Sequence, residues 1–435
     1  MNSLIKLGMI LILSSAAFAQ NFNATGLALG NNFLSYSKGV DAFSVNPANL
    51  GFNNRVELKF ISPLFAISNS SISINDYNRY FTKEGNKGEW DLNDKNSIID
   101  FFADDGLDVN ADVNMNIFSM AYNNFGFGID LLVSGGVTLK PTQTLKAALI
   151  ELDLTPNYQF KEPGFATGSF YSAVKYSFSY AHLLKAKIRK FDIDNISVAA
   201  KLNYYSGIGV LEVLDSDMHI KRFEEMADGT EEEGAYQRVN FKTRRAYPNG
   251  GVSAGGGMGF DLAASAVYDD DWHFSVMLEN IFASIDWDVN TAVIQFSASD
   301  SILFDDDNVD RSTETDTTRD VGSFSTSLPV NLIFGAHYQL IDELDLTAQW
   351  KQGLSKDFGN VFTPQLGVGA EYRPIPWLPL RSGLTVGGRD GFLFALGGGL
   401  DFDVFEFNLA YAMREALWPT YSNGAYFAFD FKFGF

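Results

Sequence analysis

The chain has 435 residues, a net charge of −21 at pH 7, 39 glycines and no cysteine. The lack of cysteine excludes disulfides and thiolate metal sites, and the acidic balance argues against nucleic acid as a partner. Most of the acidic excess lies in residues 100–112, 212–233 and 299–320. The rest of the chain is nearly neutral, so we expect the acidity to belong to a few surface loops.

The first residues have the pattern of a secretory signal peptide. Lys6 precedes an apolar run over residues 7–13, and an A-x-A motif of small residues ends at Ala19. This run is far shorter than the ~20 residues that a membrane-spanning helix needs. The sequence therefore predicts a signal peptide over residues 1–19, cleaved after Ala19, and export of the chain.

A compact, half-apolar stretch precedes the first predicted strand. The stretch GVDAFSVNPANLGF, residues 39–52, contains an Asn-Pro turn signal at Asn46-Pro47, with Val45 and Leu50 close by. Turn residues flanked by apolar side chains indicate a segment that folds against something. The sequence therefore indicates a compact turn between the start of the chain and its body.

The body of the chain alternates apolar and polar residues. In the last stretch, AYFAFDFKFGF, phenylalanine occupies every second position up to Phe435, with Asp430 and Lys432 on the other face. Period two over such a length predicts a strand, and an alternating unit of about 10 residues is typical of transmembrane barrels. The predicted strands are 53–61, 116–123, 125–133, 170–181, 193–212, 255–267, 272–286, 328–339, 343–352, 364–373, 380–388, 392–402, 405–413 and 424–435.

Short and long connections alternate between these fourteen strands. Outer-membrane barrels have short periplasmic turns and long external loops, so residues 53–435 are predicted to form an all-β, antiparallel transmembrane barrel with both termini in the periplasm. The three acidic segments fall on the long-loop side. Two long loops carry short helical patterns, one capped at Asp91 or Asn93 and stopped at Gly106, the other starting near Pro141. Such a helix either packs within its loop, offers an apolar wall to a hydrophobic ligand, or caps the lumen.

The polar faces of the predicted strands would line the lumen with charges of both signs. Polar barrel interiors of this kind are commonly held by ion pairs. Inward positions are predicted for Asp130, Lys175, Lys201, Asp261, Glu279, Asp345, Lys351, Glu371, Arg373, Asp401, Glu406, Arg414, Asp430 and Lys432.

Signals for catalysis or cofactor binding are weak. His273 and His337 are predicted to face the lumen, His182 to lie in a periplasmic turn, and neither a G-x-S-x-G nor an H-E-x-x-H motif is present. We therefore predict neither an enzyme nor a cofactor. The run DDDNVD offers weak metal candidates, but it lacks the glycine and the glutamate of an EF-hand, so a solvated acidic loop is favoured. Its acidic residues are Asp305, Asp306, Asp307 and Asp310.

The stretch over residues 39–52 resembles the N-terminal region of the FadL-like outer-membrane family, which includes long-chain fatty-acid and hydrocarbon transporters and the related PorV barrels. The matching motif is Asn46, Pro47 and Ala48. The resemblance implies a fourteen-stranded barrel that residues 20–52 plug as a hatch, and a terminal phenylalanine, Phe435, that the barrel-assembly machinery reads. It also implies uptake of a hydrophobic, fatty-acid-like molecule past the hatch, with exit sideways through the wall.

Two functions follow from the predicted architecture. The first is a FadL-like channel for hydrophobic compounds, surrounded by outer-membrane lipid and lipopolysaccharide. The alternative is a non-transporting scaffold or secretion-accessory barrel, similar to PorV, that acts through its loops and partners. An apolar lumen would favour the channel, and a lumen filled with ion pairs would favour the scaffold.

Overall fold

A computed structural model describes residues 23–86, 90–102, 106–146, 149–150, 159–184, 193–227, 230–269, 271–303, 313–402 and 404–435. The predicted signal peptide, residues 20–22 at the start of the predicted hatch, and the acidic run at 304–312 lie outside the described residues. No described helix is both long and apolar enough to cross a membrane.

Strands dominate the described chain, because its alternating residues can bury one face and expose the other. They are β1 (Val56–Asn69), β2 (Leu107–Tyr122), β3 (Phe125–Leu139), β4 (Gln159–Pro163), β5 (Ala166–Leu184), β6 (Ile193–Ala227), β7 (Thr230–Ala246), β8 (Gly255–Tyr268), β9 (Trp272–Trp287), β10 (Ala292–Leu303), β11 (Thr313–Asp320), β12 (Phe324–Ser327), β13 (Asn331–Ile341), β14 (Leu344–Gly353), β15 (Gln365–Ile375), β16 (Leu378–Gly387), β17 (Leu393–Asp401), β18 (Phe405–Arg414) and β19 (Gly424–Gly434).

The wall is a closed antiparallel barrel of fourteen strands, which confirms the predicted fold class. Its order is β1, β2, β3, β5, β6, β8, β9, β13, β14, β15, β16, β17, β18 and β19, and β19 pairs back onto β1. At the seam the backbone nitrogen of Phe435 donates to the carbonyl of Val56 at 2.8 Å. Closure leaves no unpaired edge in the wall, which a membrane-spanning sheet requires.

The outward faces of the wall strands carry large exposed apolar side chains around the barrel. A soluble surface rarely shows contiguous apolar area on this scale, whereas a lipid-facing band requires it. Members of this band include Phe65, Phe125, Phe178, Leu202, Phe260, Phe274, Phe334, Leu366, Leu384, Leu396, Leu409 and Phe427. The charged residues that were predicted to face the lumen are all buried or half-buried, which agrees with an inward orientation.

The two ends of the barrel differ, and we name them the short-turn end and the long-loop end. Turns such as Asn123-Asn124 and residues 342–343 join strands at the first end, where β1 starts and β19 finishes. At the second end, the chain between β1 and β2 forms helices α3 (Ile74–Phe81), α4 (Lys83–Asn86) and α5 (Leu92–Asp100), and α6 (Thr142–Lys146) follows β3. Asp91 caps α5 as predicted.

The long loops hold more strands than the sequence predicted. β6 was expected to end near residue 212 but continues to 227. Beyond the wall, β4, β7, β10 and β11 extend the same sheet from it, and we call this extension the second sheet. One face of this sheet packs Met218, Val239 and Phe241 around Phe165. β11, in contrast, consists of polar and charged residues and is exposed throughout. Because both of its faces meet water, it needs no apolar alternation, and the sequence pattern does not reveal it as a strand.

Two further boundaries differ from prediction. β1 runs eight residues past the expected end at Ile61, with Pro63 inside it and Ile61 in a left-handed conformation. His182, predicted in a turn, lies within β5 and is exposed. Both errors have one cause: proline and histidine weaken the local strand signal, while pairing with two neighbouring strands maintains the strand.

Candidate functional site

The N-terminal segment, residues 23–52, fills the lumen at the short-turn end. It comprises helix α1 (Ala24–Ala28), helix α2 (Gly39–Val45) and a 3-10 helix (Pro47–Phe52). α1 packs on β16 to β19, and the 3-10 helix packs on β5, β6 and β8 across the barrel. Almost all of its side chains are buried. The segment therefore reaches from one wall to the opposite one and blocks the lumen at this level.

The Asn46-Pro47-Ala48 motif forms the turn between α2 and the 3-10 helix. The Asn46 side chain accepts a hydrogen bond from the backbone nitrogen of Ala48 at 3.2 Å, and Pro47 begins the helix, where its missing N–H costs nothing. The Asn46 amide also donates to the hydroxyl of Ser265 on β8 at 2.9 Å. The motif thus shapes the segment and joins it to the wall. That it serves as a hatch motif stays a prediction.

Glycines of the wall make room for the segment. A Cβ placed on Gly128 of β3 would lie 2.4 Å from the Phe43 ring, and one on Gly126 would lie 2.3 Å from it. On β16, a Cβ at Gly383 would lie 2.0 Å from the carbonyl carbon of Leu29. These separations are far below van der Waals contact, so only glycine lets the segment lie this close to the wall.

A buried ion cluster holds α2 at the short-turn end. The carboxylate of Asp41 pairs with Lys59 of β1 at 2.5 Å and with Lys432 of β19, and Lys432 also pairs with Glu406 at 3.0 Å. Burial alone would raise the pKa of Asp41, but the two adjacent ammonium groups outweigh it and hold that pKa well below its usual range. Asp41 is therefore a charged anchor between the segment and two wall strands.

A second polar contact lies at Tyr36, beside the ion cluster. Its hydroxyl donates to Glu371 at 2.7 Å and lies 3.1 Å from Asp345. Arg381 holds Glu371 from the other side at 2.6 Å, and His337 pairs with Asp345 at 2.6 Å. Burial, together with the Glu371 and Asp345 carboxylates, raises the pKa of Tyr36. Tyr36 is thus a neutral donor that ties the segment to charges on β14 and β15.

Towards the middle of the barrel, the lumen is crossed by a charged layer. Lys175 pairs with Asp130 at 3.3 Å, and Lys201 pairs with Asp261 at 3.6 Å. Lys201 also donates to the backbone carbonyl of Ser44 at the end of α2, at 3.2 Å. These ion pairs stabilise the wall, and Lys201 also binds the N-terminal segment. The lumen at this level is therefore polar rather than apolar.

At the long-loop end, an aromatic cluster replaces the charges. Its largest members are Tyr171, Tyr205, Trp287 and Phe358, all at most 5% exposed. Phe358 comes from the loop between β14 and β15, whose tip contacts β3 and β5 on the opposite wall. Along its axis the barrel therefore has an aromatic layer, a charged layer and the N-terminal segment.

The histidines and acidic residues considered for chemistry are scattered. His273 and His337 face the lumen as predicted, with ring centroids 5.4 Å apart, while His219 lies on the second sheet beside Gln159. Within the described ranges, His, Asp and Glu form no group of three suited to a metal ion. The weak metal candidates Asp305, Asp306, Asp307 and Asp310 lie outside those ranges. The absence of catalysis stays a prediction.

Sequence reasoning missed the residues that seat the segment and those that close the long-loop end. Gly126 and Gly128 stand at inward positions of a strand, so a signal for close approach was present, but nothing in the sequence said which side chain they meet. Phe358 stands alone in the stretch SKDFGN, without periodicity. Its burial depends on the wall across the lumen, which no local pattern reports.

Adding a methyl group at one wall glycine should loosen the segment. Gly383→Ala brings a Cβ within 2.0 Å of the Leu29 backbone, and overpacking of this kind costs about 1–3 kcal/mol. We expect amide hydrogen exchange over residues 24–50 to become roughly tenfold faster or more. Gly398→Ala is the matched control, since its new Cβ would meet its nearest neighbour, the Pro379 carbonyl oxygen, at 3.3 Å. Equal exchange in both variants would contradict the close packing at Gly383.

Comparison with solved structures shows the same fold in proteins of very different sequence. A TodX deltaS2S3 mutant, described as a monoaromatic hydrocarbon channel, superimposes with a TM-score of 0.51 at 13% identity, covering 95% of this chain and 98% of the other. A FadL homologue of Pseudomonas aeruginosa gives a TM-score of 0.50 at 12% identity, covering 96% and 99%. The present chain is similar to these proteins in fold alone.

None of the curated proteins matches the sequence. One family model does match, over residues 47–413, from Pro47 to the next-to-last residue of β18, and its description is a family of unknown function, DUF5723. It covers most of the barrel and the 3-10 helix that seats the segment. The chain therefore belongs to the DUF5723 family.

Proposed function

We propose that this barrel is an outer-membrane channel for hydrophobic compounds, with the N-terminal segment as its hatch. The main observation is that the lumen is closed by a segment that continues into β1 and is otherwise held against the wall by non-covalent contacts: close packing on wall glycines, ion pairs and hydrogen bonds. A closure of this kind is reversible if the segment shifts. Support comes from the fold likeness to a protein described as a monoaromatic hydrocarbon channel.

The membrane placement is part of the same proposal. The apolar band of the wall faces lipid, both termini lie in the periplasm, and the acidic long-loop end faces outward among lipopolysaccharide. Phe435, whose side chain is 73% exposed beside the β1–β19 seam, is offered to the barrel-assembly machinery. Short turns on the periplasmic side and long loops outside are the usual arrangement of such barrels.

The proposed cargo is hydrophobic, and fatty-acid-like molecules are its first candidates by family resemblance. The charge of −21 opposes negatively charged cargo at long range. Uptake of carboxylates should therefore rise with ionic strength, as salt screens the repulsion. Uptake of uncharged hydrocarbons should show no such dependence.

The test is uptake by proteoliposomes that contain the purified full chain. We expect radiolabelled oleate or toluene to enter these vesicles faster than vesicles without protein, and an apolar molecule to appear when the purified barrel is extracted and analysed by mass spectrometry. The matched protein control is the barrel that carries the locking disulfide described in the Discussion. Uptake equal to that of protein-free vesicles, with no co-purifying apolar molecule, would reject the channel.

A scaffold function is the second candidate, and one observation favours it. The charged layer at Lys201 and Asp261, and the ion cluster at Asp41, leave the lumen at those levels filled by paired groups. A scaffold similar to PorV needs no open path and would use the second sheet at the long-loop end or the short-turn end for partners. Wild-type folding with no uptake under any condition would favour this candidate over the channel.

A further inference from the structure

Phe358 occupies an aromatic site on the far side of the lumen from its own strands. Its ring centroid lies 4.5 Å from that of Tyr171, with the rings tilted by 54°, inside the distance range of attractive aromatic pairs. The side chain is 5% exposed and belongs to the same cluster as Leu132 and Trp287. One side chain of a crossing loop thus fills a site built by the opposite wall.

The loop that carries Phe358 is anchored at its base and exposed along its course. Leu354 donates its backbone N–H to the carbonyl of Val330 at 2.8 Å, which joins the base to the neighbouring connection. Around the buried tip, Leu354, Lys356 and Phe362 are all exposed. Ser355 and Asn360, on either side of the tip, also bond to the backbone of Val330, at 3.2 and 3.4 Å. What depends on Phe358 is therefore the reach of the tip to the opposite wall.

The backbone at the tip is in an unfavourable conformation. Phe358 has φ of 44°, in the left-handed region, and Gly359 follows with φ of 72°. Glycine adopts this region freely, but a bulky aromatic residue rarely does. Strain of this kind persists only where surrounding contacts impose it. Burial of the ring holds the loop in place, and leaving the site would relieve the strain.

The site under Phe358 offers apolar surface and little else. The indole N–H of Trp287 donates to Thr326 at 2.8 Å, and the Tyr205 hydroxyl donates to the Asn280 side chain at 2.9 Å. Both polar tips are therefore engaged outside the apolar face. A site whose hydrogen-bond donors are already paired favours an uncharged ligand, because a charged group would lose its hydration there without gaining new partners.

We propose that Phe358 is an internal ligand that closes a binding site for neutral, benzyl-sized apolar molecules at the long-loop end of the lumen. An incoming aromatic or compact hydrocarbon displaces the ring, the strained tip swings away, and the site holds the cargo before it meets the hatch. The proposal deepens the channel function above and names its first binding site. Binding by displacement carries its own signature, because removing Phe358 must strengthen ligand binding.

The first experiment measures toluene binding to the full chain in detergent. We expect Phe358→Ala to bind toluene at least tenfold more tightly than the wild type, because the internal competitor is gone. Phe362→Ala is the matched control, since Phe362 is an exposed phenylalanine of the same loop, and it should bind as the wild type does. Phe358→Leu, which keeps apolar volume and protects folding, should lie between them. Binding in Phe358→Ala no tighter than in Phe362→Ala would overturn the proposal.

The second experiment asks whether ligand moves the loop in the presence of Phe358. The chain has no cysteine, so Lys356→Cys provides a single site for a spin label on the exposed part of the loop. Saturating toluene should raise the label's mobility, and adding Phe358→Ala should give high mobility without toluene. A label that does not respond would overturn displacement.

The two proposals fail separately. If proteoliposomes pass no hydrophobic compound but toluene still binds with the expected order and moves the label, the channel function fails and the binding site stands. If uptake is present while toluene neither moves the label nor binds more tightly to Phe358→Ala, the site fails and the channel stands.

Discussion

Joining Ser35→Cys to Gly335→Cys through a disulfide is expected to reduce uptake of hydrophobic compounds to the level of protein-free vesicles. Ser35 lies in the N-terminal segment, and Gly335 lies on β13 of the wall. A Cβ placed on Gly335 would be 2.8 Å from the Ser35 hydroxyl oxygen, close to the roughly 3 Å that separates a Cβ from the far sulfur of a disulfide. If the segment must shift for cargo to pass, this bond holds the channel shut.

The disulfide can be reduced, so the same vesicles can be measured with the segment bound to the wall and with it released. A reducing agent should restore uptake in the same vesicles, and the absence of native cysteine leaves no other disulfide to reduce. Each single variant separates the effect of the bond from that of the substitution. The matched control is Ala370→Cys with Ser382→Cys, which face each other on β15 and β16 and join wall to wall. Equal uptake by the oxidised and reduced forms of the locked barrel would show that the segment need not move.

The wall could be predicted from the sequence because every wall strand faces two different solvents. Lipid outside and a polar lumen inside impose alternation, as in β19, where phenylalanine opposes Asp430 and Lys432. The inward charges followed directly from that period. Where the same solvent lies on both faces, as along β11, no alternation is imposed, and the strand was predicted as loop.

The candidate site could be predicted only in part, because it depends on contacts between distant residues. The turn at Asn46-Pro47 is local and was visible in the sequence. The partner of Phe43 at Gly128 lies on another element, and the partners of Asp41 lie on the first and last strands. The same holds for Phe358, because the residues that bury it belong to the wall on the far side of the lumen. Local patterns report which face is buried, but not what covers it.

Removing one charge from the buried ion cluster should release the segment from the short-turn end. Asp41→Asn leaves the ammonium groups of Lys59 and Lys432 without their shared carboxylate, in a site where Lys59 is 1% exposed. Breaking a buried pair from one side costs about 3–5 kcal/mol. We expect amide exchange over residues 24–50 to rise at least a hundredfold, while exchange in the wall strands changes little. Asp401→Asn is the control, because Asp401 pairs with Arg373 near the rim and is half-buried. A loss of protection equal in both variants would contradict the anchor role of Asp41.

The pH dependence of amide exchange in the wild-type protein tests the role of Asp41 a second time. The pKa of Asp41 is held well below its usual range by Lys432 and Lys59 in spite of burial. A carboxyl group with a depressed pKa stabilises the seated segment above the pKa it has when released, ~3.9 for aspartate. That stabilisation is lost as pH falls from there towards the lower, seated pKa. Protection of residues 24–50 should therefore be constant from pH 8 to about 5 and decline only below about 4.

Asp41→Asn should remove this acid-dependent decline, because asparagine does not titrate. An unchanged decline in that variant would assign the acid response to other carboxylates, and would leave Asp41 as a packing residue rather than the charged anchor of the N-terminal segment.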